Sequence, residues 1–280
     1  MNIAVTGASG FVGRALSERL RASGHGVTAI SLRTQPPPEV FGGCEAVVNL
    51  AGEPVAQRWT TAARERISNS RIQGTRSLVA AIRKHPPQVL VSASAVGYYG
   101  SRGDEILTED SPPSSDFLGQ LALGWEQEAR AAEQFGVRVV TPRIGVVLGR
   151  GGGALAQMLL PFRLGVGGRL GSGQQWMSWI ALDDLVSLIE FAIEDAALTG
   201  PVNAVAPNPV TNAVFTRELA AALHRPAVFP VPAFALKMLF GEMSQIILGG
   251  QRVIPRASSR AGFQFRYAEL GEALRQSIGG

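Results

Sequence analysis

Gly7, Gly10 and Gly13 fall within Thr6-Gly7-Ala8-Ser9-Gly10-Phe11-Val12-Gly13, directly behind the apolar run Ile3-Ala4-Val5 and ahead of a helical pattern from Arg14 to Ala22. This spacing makes a phosphate cradle. Gly7 permits a sharp turn, Gly10 lets backbone N–H groups approach an anion without a Cβ between, and Gly13 lets the following helix pack against the sheet. The strand-turn-helix context lifts the triad above a generic glycine-rich turn. The chemistry it points to is binding of a dinucleotide pyrophosphate, with Thr6, Ser9, Phe11 and Val12 completing the nest.

The end of the second strand decides which dinucleotide. Folds selective for NAD place a carboxylate there for the adenine ribose, and folds selective for NADP place a cation for the 2′-phosphate. Here that strand ends Ala29-Ile30-Ser31-Leu32-Arg33-Thr34, and no carboxylate follows before Glu39. Arg33 offers a planar fork to the phosphate and Ser31 a hydroxyl, so NADP(H) is favoured over NAD(H). Leu50-Ala51-Gly52-Glu53, after the third strand, lets the chain pass beneath the adenosine. Ser92-Ala93 and Pro142-Arg143 close the fourth and fifth strands, with Arg143 either facing a phosphate or pinning the glycine loop that follows it.

The elements that position these residues follow from alternating patterns. Apolar runs at Asn2 to Val5, Val27 to Ser31, Ala46 to Leu50, Val89 to Ala93 and Val137 to Thr141 are separated by helical stretches, notably Thr60 to Lys84 and Asp116 to Phe135. Such alternation predicts an α/β fold with a doubly wound parallel sheet of Rossmann type, the cofactor lying across the carboxyl ends of the strands. After Arg143 the texture changes to glycine clusters at 149–153 and 165–173 and proline-rich stretches, suited to loops that hold a substrate. The tail reads as helices over Ala233 to Phe240, Glu242 to Leu248 and Tyr267 to Ile278. The reading divides the chain into a dinucleotide-binding core (1–148), a mixed segment completing the core and forming substrate loops (149–229), and a small, mostly helical C-terminal substrate lobe (230–280).

Composition bounds the possibilities. In 280 residues, 46% are apolar and 17% charged, as in a globular protein. Cys44 is the only cysteine, which excludes an internal disulfide and a thiolate metal cluster. His25, His85 and His224 lack ligand spacing, so no metal is expected. The net charge is +4, but the arginines are scattered singly with no dense basic run, which argues against nucleic acid. With no spanning apolar stretch and no leader pattern, the expected place is the cytoplasm, with no membrane partner.

Further motifs are more specific than the glycine triad: Val48-Asn49-Leu50-Ala51-Gly52, Ser70-Arg71-Ile72, Gly97-Tyr98-Tyr99-Gly100, Trp125-Glu126, Pro142-Arg143-Ile144-Gly145-Val146-Val147-Leu148-Gly149, Ser178-Trp179-Ile180, Asp183-Asp184-Leu185 and Gly249-Gly250-Gln251-Arg252-Val253 with Pro255. On these the chain resembles, nearly end to end, the extended short-chain dehydrogenase/reductases. Within them it resembles the atypical "epimerase family" group of nucleoside-diphosphate-sugar-epimerase-like proteins with a C-terminal extension of unknown function. Ala181 departs from the pattern, since a histidine often precedes the Asp-Asp pair in that group.

Ordinary extended members use a tyrosine and a lysine four residues apart, with a serine and an asparagine in support. The phenol moves the proton while the lysine lowers its pKa and holds the ribose. No Tyr-x-x-x-Lys occurs here, and the only lysines are Lys84 and Lys237. Registering on Glu126 puts Leu118 at the tyrosine position and Ala122 at the lysine position. The supporting serine is matched by Ser94, while registering on Gly74-Thr75 puts Arg71 at the asparagine position, where it would favour an anionic partner. Tyr98 and Tyr99, on the loop expected to overhang the nicotinamide, are the candidate proton donors, with Glu53 and Asp104 behind them. Asp183-Asp184 is expected to cap a helix.

The resemblance implies a reductase or epimerase of a small polar substrate with an unusual proton relay. Its rivals are a non-catalytic NADP(H)-sensing regulatory protein, and a sugar-nucleotide epimerase, which needs a base that Leu118 and Ala122 cannot provide. Relatives of this type often dimerise through the two long helices, so a homodimer is a further expectation.

Overall fold

The apolar runs become strands buried on both faces, as a parallel sheet covered by helices requires. The computed structural model describes residues 1–279. Its first half comprises β1 (Asn2–Thr6), α1 (Phe11–Ala22), β2 (Gly26–Ile30), β3 (Ala46–Asn49), α2 (Thr61–Ile82), β4 (Val89–Ser92), β5 (Ser94–Ala95), β6 (Ile106–Leu107), α3 (Phe117–Arg130) and β7 (Arg138–Ile144). There follow β8 (Val146–Leu148), α4 (Gly153–Arg163), β9 (Trp176–Met177), β10 (Trp179–Ala181), α5 (Leu182–Glu194), β11 (Gly200–Ala204), β12 (Val210–Thr211) and α6 (Asn212–Leu223). The tail holds α7 (Ala233–Phe240), α8 (Ser244–Leu248), β13 (Arg252–Val253), α9 (Arg256–Arg260) and α10 (Leu270–Ile278).

The central sheet runs β11-β7-β4-β3-β1-β2, every pairing parallel, with β5 continuing β4 against β7. Ile3, Val5, Val48 and Val91 pack with Leu16 and Leu20 of α1 and Leu185 and Ile189 of α5. Ala4, Val47 and Leu90 face the other way, onto Leu78 and Ile82 of α2. This alternation makes the sheet doubly wound. The chain order reverses between β1 and β3, so the ligand crevice of such a fold opens over their carboxyl ends.

Several boundaries differ from the sequence expectation for physical reasons. β11 lies in a stretch read as proline-rich loop; as an edge strand it tolerates Pro201, whose missing N–H faces no neighbour there. The ladder between β4 and β7 lapses after Val91↔Val140 and resumes at Ser94↔Arg143, flanking Pro142, which has no amide to give. α1 begins at Phe11, a turn earlier than Arg14, and α3 tightens into a 3-10 turn over Ala131–Phe135 before Gly136 turns left-handed.

Asp183-Asp184 does not cap: α5 starts at Leu182 with no side-chain cap, and the buried Asp184 carboxylate instead accepts the backbone N–H groups of Arg266 (2.8 Å) and Tyr267 (2.9 Å). The carboxylate is pushed up by burial, against the pull of those two amides. It ties the C-terminal extension to the core, where Phe263 joins the cluster of α1 and α5. A second core gathers Leu155 and Phe162 of α4, Phe215 and Leu219 of α6, and Leu270 and Leu274 of α10 around Trp179. Among the described residues no helix is long and apolar enough to cross a membrane.

Candidate functional site

The amino-terminal turn is shaped by contacts that leave no room for side chains. Gly7 has φ +68°, and a Cβ on it would stand 2.7 Å from the Leu50 carbonyl carbon. A Cβ on Gly13 would stand 2.1 Å from the Gly7 carbonyl oxygen, so Gly13 is required by the turn itself rather than by helix-to-sheet packing as expected. The first bond into α1 runs from the Arg14 N–H to the Gly10 carbonyl. The amides of Phe11, Val12 and Gly13 therefore open the helix without intrahelical acceptors, at the positive end of its dipole. Phe11 is clasped by the first glycine cluster, where a Cβ on Gly152 would lie 2.5 Å from its ring.

Beneath the turn a buried polar node joins three strand ends. The Thr6 hydroxyl donates to Asn49 Oδ1 (2.7 Å), and Asn49 Nδ2 donates to the hydroxyls of Thr75 (2.9 Å) and Ser92 (3.1 Å). Asn49 was missed by the sequence reading as a site-shaping residue; an asparagine closing an apolar strand was its available signal.

Because Thr6 pairs with Ile30, the segment carrying Ser31 and Arg33 leaves the sheet beside the turn. Arg33 is exposed and its guanidinium has no hydrogen-bond or ion-pair partner among the described residues. On the other flank, Arg71 lies beneath the loop after β3. It donates to the Glu53 carbonyl (2.9 Å), its guanidinium carbon lies 3.1 Å from where a Gly52 Cβ would be, and it stacks 5.1 Å from the centre of the Trp125 ring. Burial pulls it down to about 10, Glu53 opposing. These cations, free amides and Cβ-free surfaces fit a phosphorylated dinucleotide.

Ser94, Tyr98, Tyr99 and Arg143 form a second group, organised by Glu126. The Ser94 hydroxyl donates to Glu126 Oε1 (2.6 Å), and Arg143 grips both Glu126 oxygens at 2.8 Å. Within the protein Arg143 thus bonds Glu126, Tyr99 and the Glu109 carbonyl, and its guanidinium has no bond to the glycine loop among the described residues. Burial alone would lower the Arg143 pKa, but the bonds and charge of Glu126 more than reverse this and hold it above its ordinary value. The Tyr99 phenol donates to Asn203 Oδ1 (2.6 Å) and accepts from Arg143 Nη1 (2.9 Å). Burial pushes Tyr99 up to about 12, with Arg143 pulling the other way. Tyr98 lies under the Arg143 guanidinium, 3.5 Å from its ring centre, and its hydroxyl has no hydrogen-bond partner among the described residues.

Leu118 packs against Gly97 and, with Phe117, Leu121, Trp59, Phe240 and Met243, builds a hydrocarbon wall; Ala122 is buried beside Tyr98 and Tyr99. Glu53 accepts from Gln57 and Asp104 from the Trp176 indole (2.7 Å). Trp179 is core, while half-buried Trp176 lies under Arg252. The sequence spacing hid one grouping of metal-ligand types: His25, Glu190 and Glu194, with ligand atoms within 4.8 Å of one another. It sits at the opposite end of the strands from the turn, and Arg19 pairs with Glu190 there.

The NAD-dependent epimerase/dehydratase family model matches residues 3–205, and a domain of unknown function, DUF1731, matches residues 231–277. The epimerase family protein SDR39U1 homolog, chloroplastic, of Arabidopsis thaliana is 42% identical over 98% of this chain and 86% of its own. The epimerase family protein YfhF of Bacillus subtilis is 39% identical over 99% and 98%. A crystal structure of human epimerase family protein SDR39U1 (isoform 2) with NADPH superposes with a TM-score of 0.91 at 39% identity, covering 99% of each chain.

Proposed function

Because the chain belongs to the NAD-dependent epimerase/dehydratase family, we propose that it binds NADP(H) over the carboxyl ends of β1, β3 and β4 and acts as a reductase or epimerase on a small polar substrate. The observation that carries the reading is the Cβ-free turn with its open amides beside the uncommitted Arg33. In this reading the amides of Phe11, Val12 and Gly13 hold the pyrophosphate, Arg33 and Ser31 hold the 2′-phosphate, and Arg71 backs the loop under the adenosine. The chemistry the nucleotide supplies there is hydride transfer.

Tyr98 is the proton donor in this account. The Ser94 and Tyr99 hydroxyls are already engaged as hydrogen-bond donors to Glu126 and Asn203, whereas the Tyr98 hydroxyl is uncommitted. A phenol within hydrogen-bond reach of a carbonyl oxygen can supply the proton that accompanies hydride. The hydrocarbon at Leu118 and Ala122 favours the second reading, an NADP(H)-sensing protein that does not turn over. The experiment is NADPH oxidation against a broad panel of carbonyls and sugar nucleotides. Turnover that falls about a hundredfold or more in Tyr98→Phe, with NADPH affinity kept, is expected. Tight NADPH binding without turnover on any substrate overturns the enzyme reading in favour of the sensor.

A further inference from the structure

Residues 149–182 and 219–241 contain no aspartate or glutamate, yet Arg163, Arg169, Arg225 and Lys237 stand exposed within them. The same stretches carry most of the large apolar side chains that face solvent, among them Leu160 (64% exposed), Leu164 (68%), Phe229 (61%), Phe234 (71%) and Met238 (78%). The two stretches run side by side. The Val231 N–H donates to the Arg169 carbonyl, the Gly171 N–H donates to the Val231 carbonyl, and the Gly168 backbone lies directly against Phe229. Leu160 and Leu164, at the end of α4, and Phe234 and Met238, on α7, are each four residues apart, so each pair projects from one helix face.

Large apolar side chains exposed on two adjoining stretches mark an interaction site, and the charge among them selects the occupant. A second copy of the chain would set the same cations against each other. An electroneutral apolar partner would leave them unused. An anionic bilayer surface satisfies both features, since the phenylalanine, leucine and methionine side chains enter the headgroup and acyl boundary while arginine and lysine meet lipid phosphates. We propose that this face of α4, α7 and the segment between α6 and α7 docks the protein on an anionic membrane surface. Surface docking needs no spanning helix, so the lack of one among the described residues does not oppose it. Inward of the face, Phe240 and Met243 pack with Trp59 and Leu118, so the apolar surface leads on to the wall of the candidate site.

The test is co-sedimentation of the full chain with vesicles of phosphatidylcholine alone and of phosphatidylcholine containing roughly one third phosphatidylglycerol. Partition onto the anionic vesicles is expected to be at least about tenfold stronger and to collapse in high salt. Arg163→Glu with Lys237→Glu should cut it about tenfold or more, and Phe234→Ser with Met238→Ser should do the same. All four side chains are exposed, so the melting temperature and NADPH binding should stay unchanged in both variants. Absence of binding to either vesicle overturns the proposal. So does equal binding to both, or a dimer in sedimentation velocity that is lost in the same variants.

Discussion

A single methyl group at Gly13 decides whether the amino-terminal turn can close, because it would lie 2.1 Å from the Gly7 carbonyl oxygen and 2.8 Å from the Ala8 Cα, both backbone atoms. Backbone cannot swing aside as a side chain can. Gly13→Ala is therefore expected to cost about 1–3 kcal/mol of stability and to weaken NADPH binding at least about tenfold. Thermal melts and fluorescence titration check this, and wild-type values for both would contradict it. The glycines were legible in the sequence because their requirement is local, set by neighbours within a few positions. Arg143 was not, since its partner Glu126 lies 17 residues away on α3. Ser94 and Tyr99 depend likewise on Glu126 and Asn203, 32 and 104 residues off. Residue type announced that these groups carry chemistry, but only the fold says which atoms they face.

The 3-10 turn Val96–Tyr99 holds Tyr99 in a fully buried place between α3 and β7. Its folded pKa, about 12, lies above the unfolded value of about 10. The neutral phenol thus contributes stability in full below about pH 10, and that contribution is lost as pH rises toward 12. In urea unfolding across this range the wild type should lose more stability than Tyr99→Phe, which starts lower for want of the bonds to Asn203 and Arg143. Parallel curves for the two proteins would contradict the assignment. At this scale α1, α2, α3, α7 and five strands were readable from their periodicity, whereas α4 and α6, in the stretch expected to form substrate loops, were not. β11 was not, because Pro201 reads as a breaker unless the strand is known to lie at an edge. Nor was the role of Asp184, whose acceptor work spans more than eighty residues of chain.

Across the whole molecule, one polarity organises the parts. The carboxyl ends of β1, β3 and β4 carry the turn, the Asn49 node and the Arg71 loop, and the C-terminal extension closes over the neighbouring wall through Met243 and Phe240. Strand order, and hence this crevice, follows from parallel βαβ crossovers of one hand, which is why the alternating pattern was enough to anticipate it. The apolar, carboxylate-free surface was hidden, since exposure is a property of the packed chain. At this scale the proposed selection of a 2′-phosphorylated dinucleotide rests on the turn and Arg33 acting together. The most direct measurement is paired fluorescence titration of NADPH and NADH into the wild type and Arg33→Asp. The wild type is expected to prefer NADPH, and the substitution to weaken NADPH about tenfold to hundredfold while leaving NADH within about twofold. Equal losses for the two nucleotides, or a wild type indifferent to both, would contradict it.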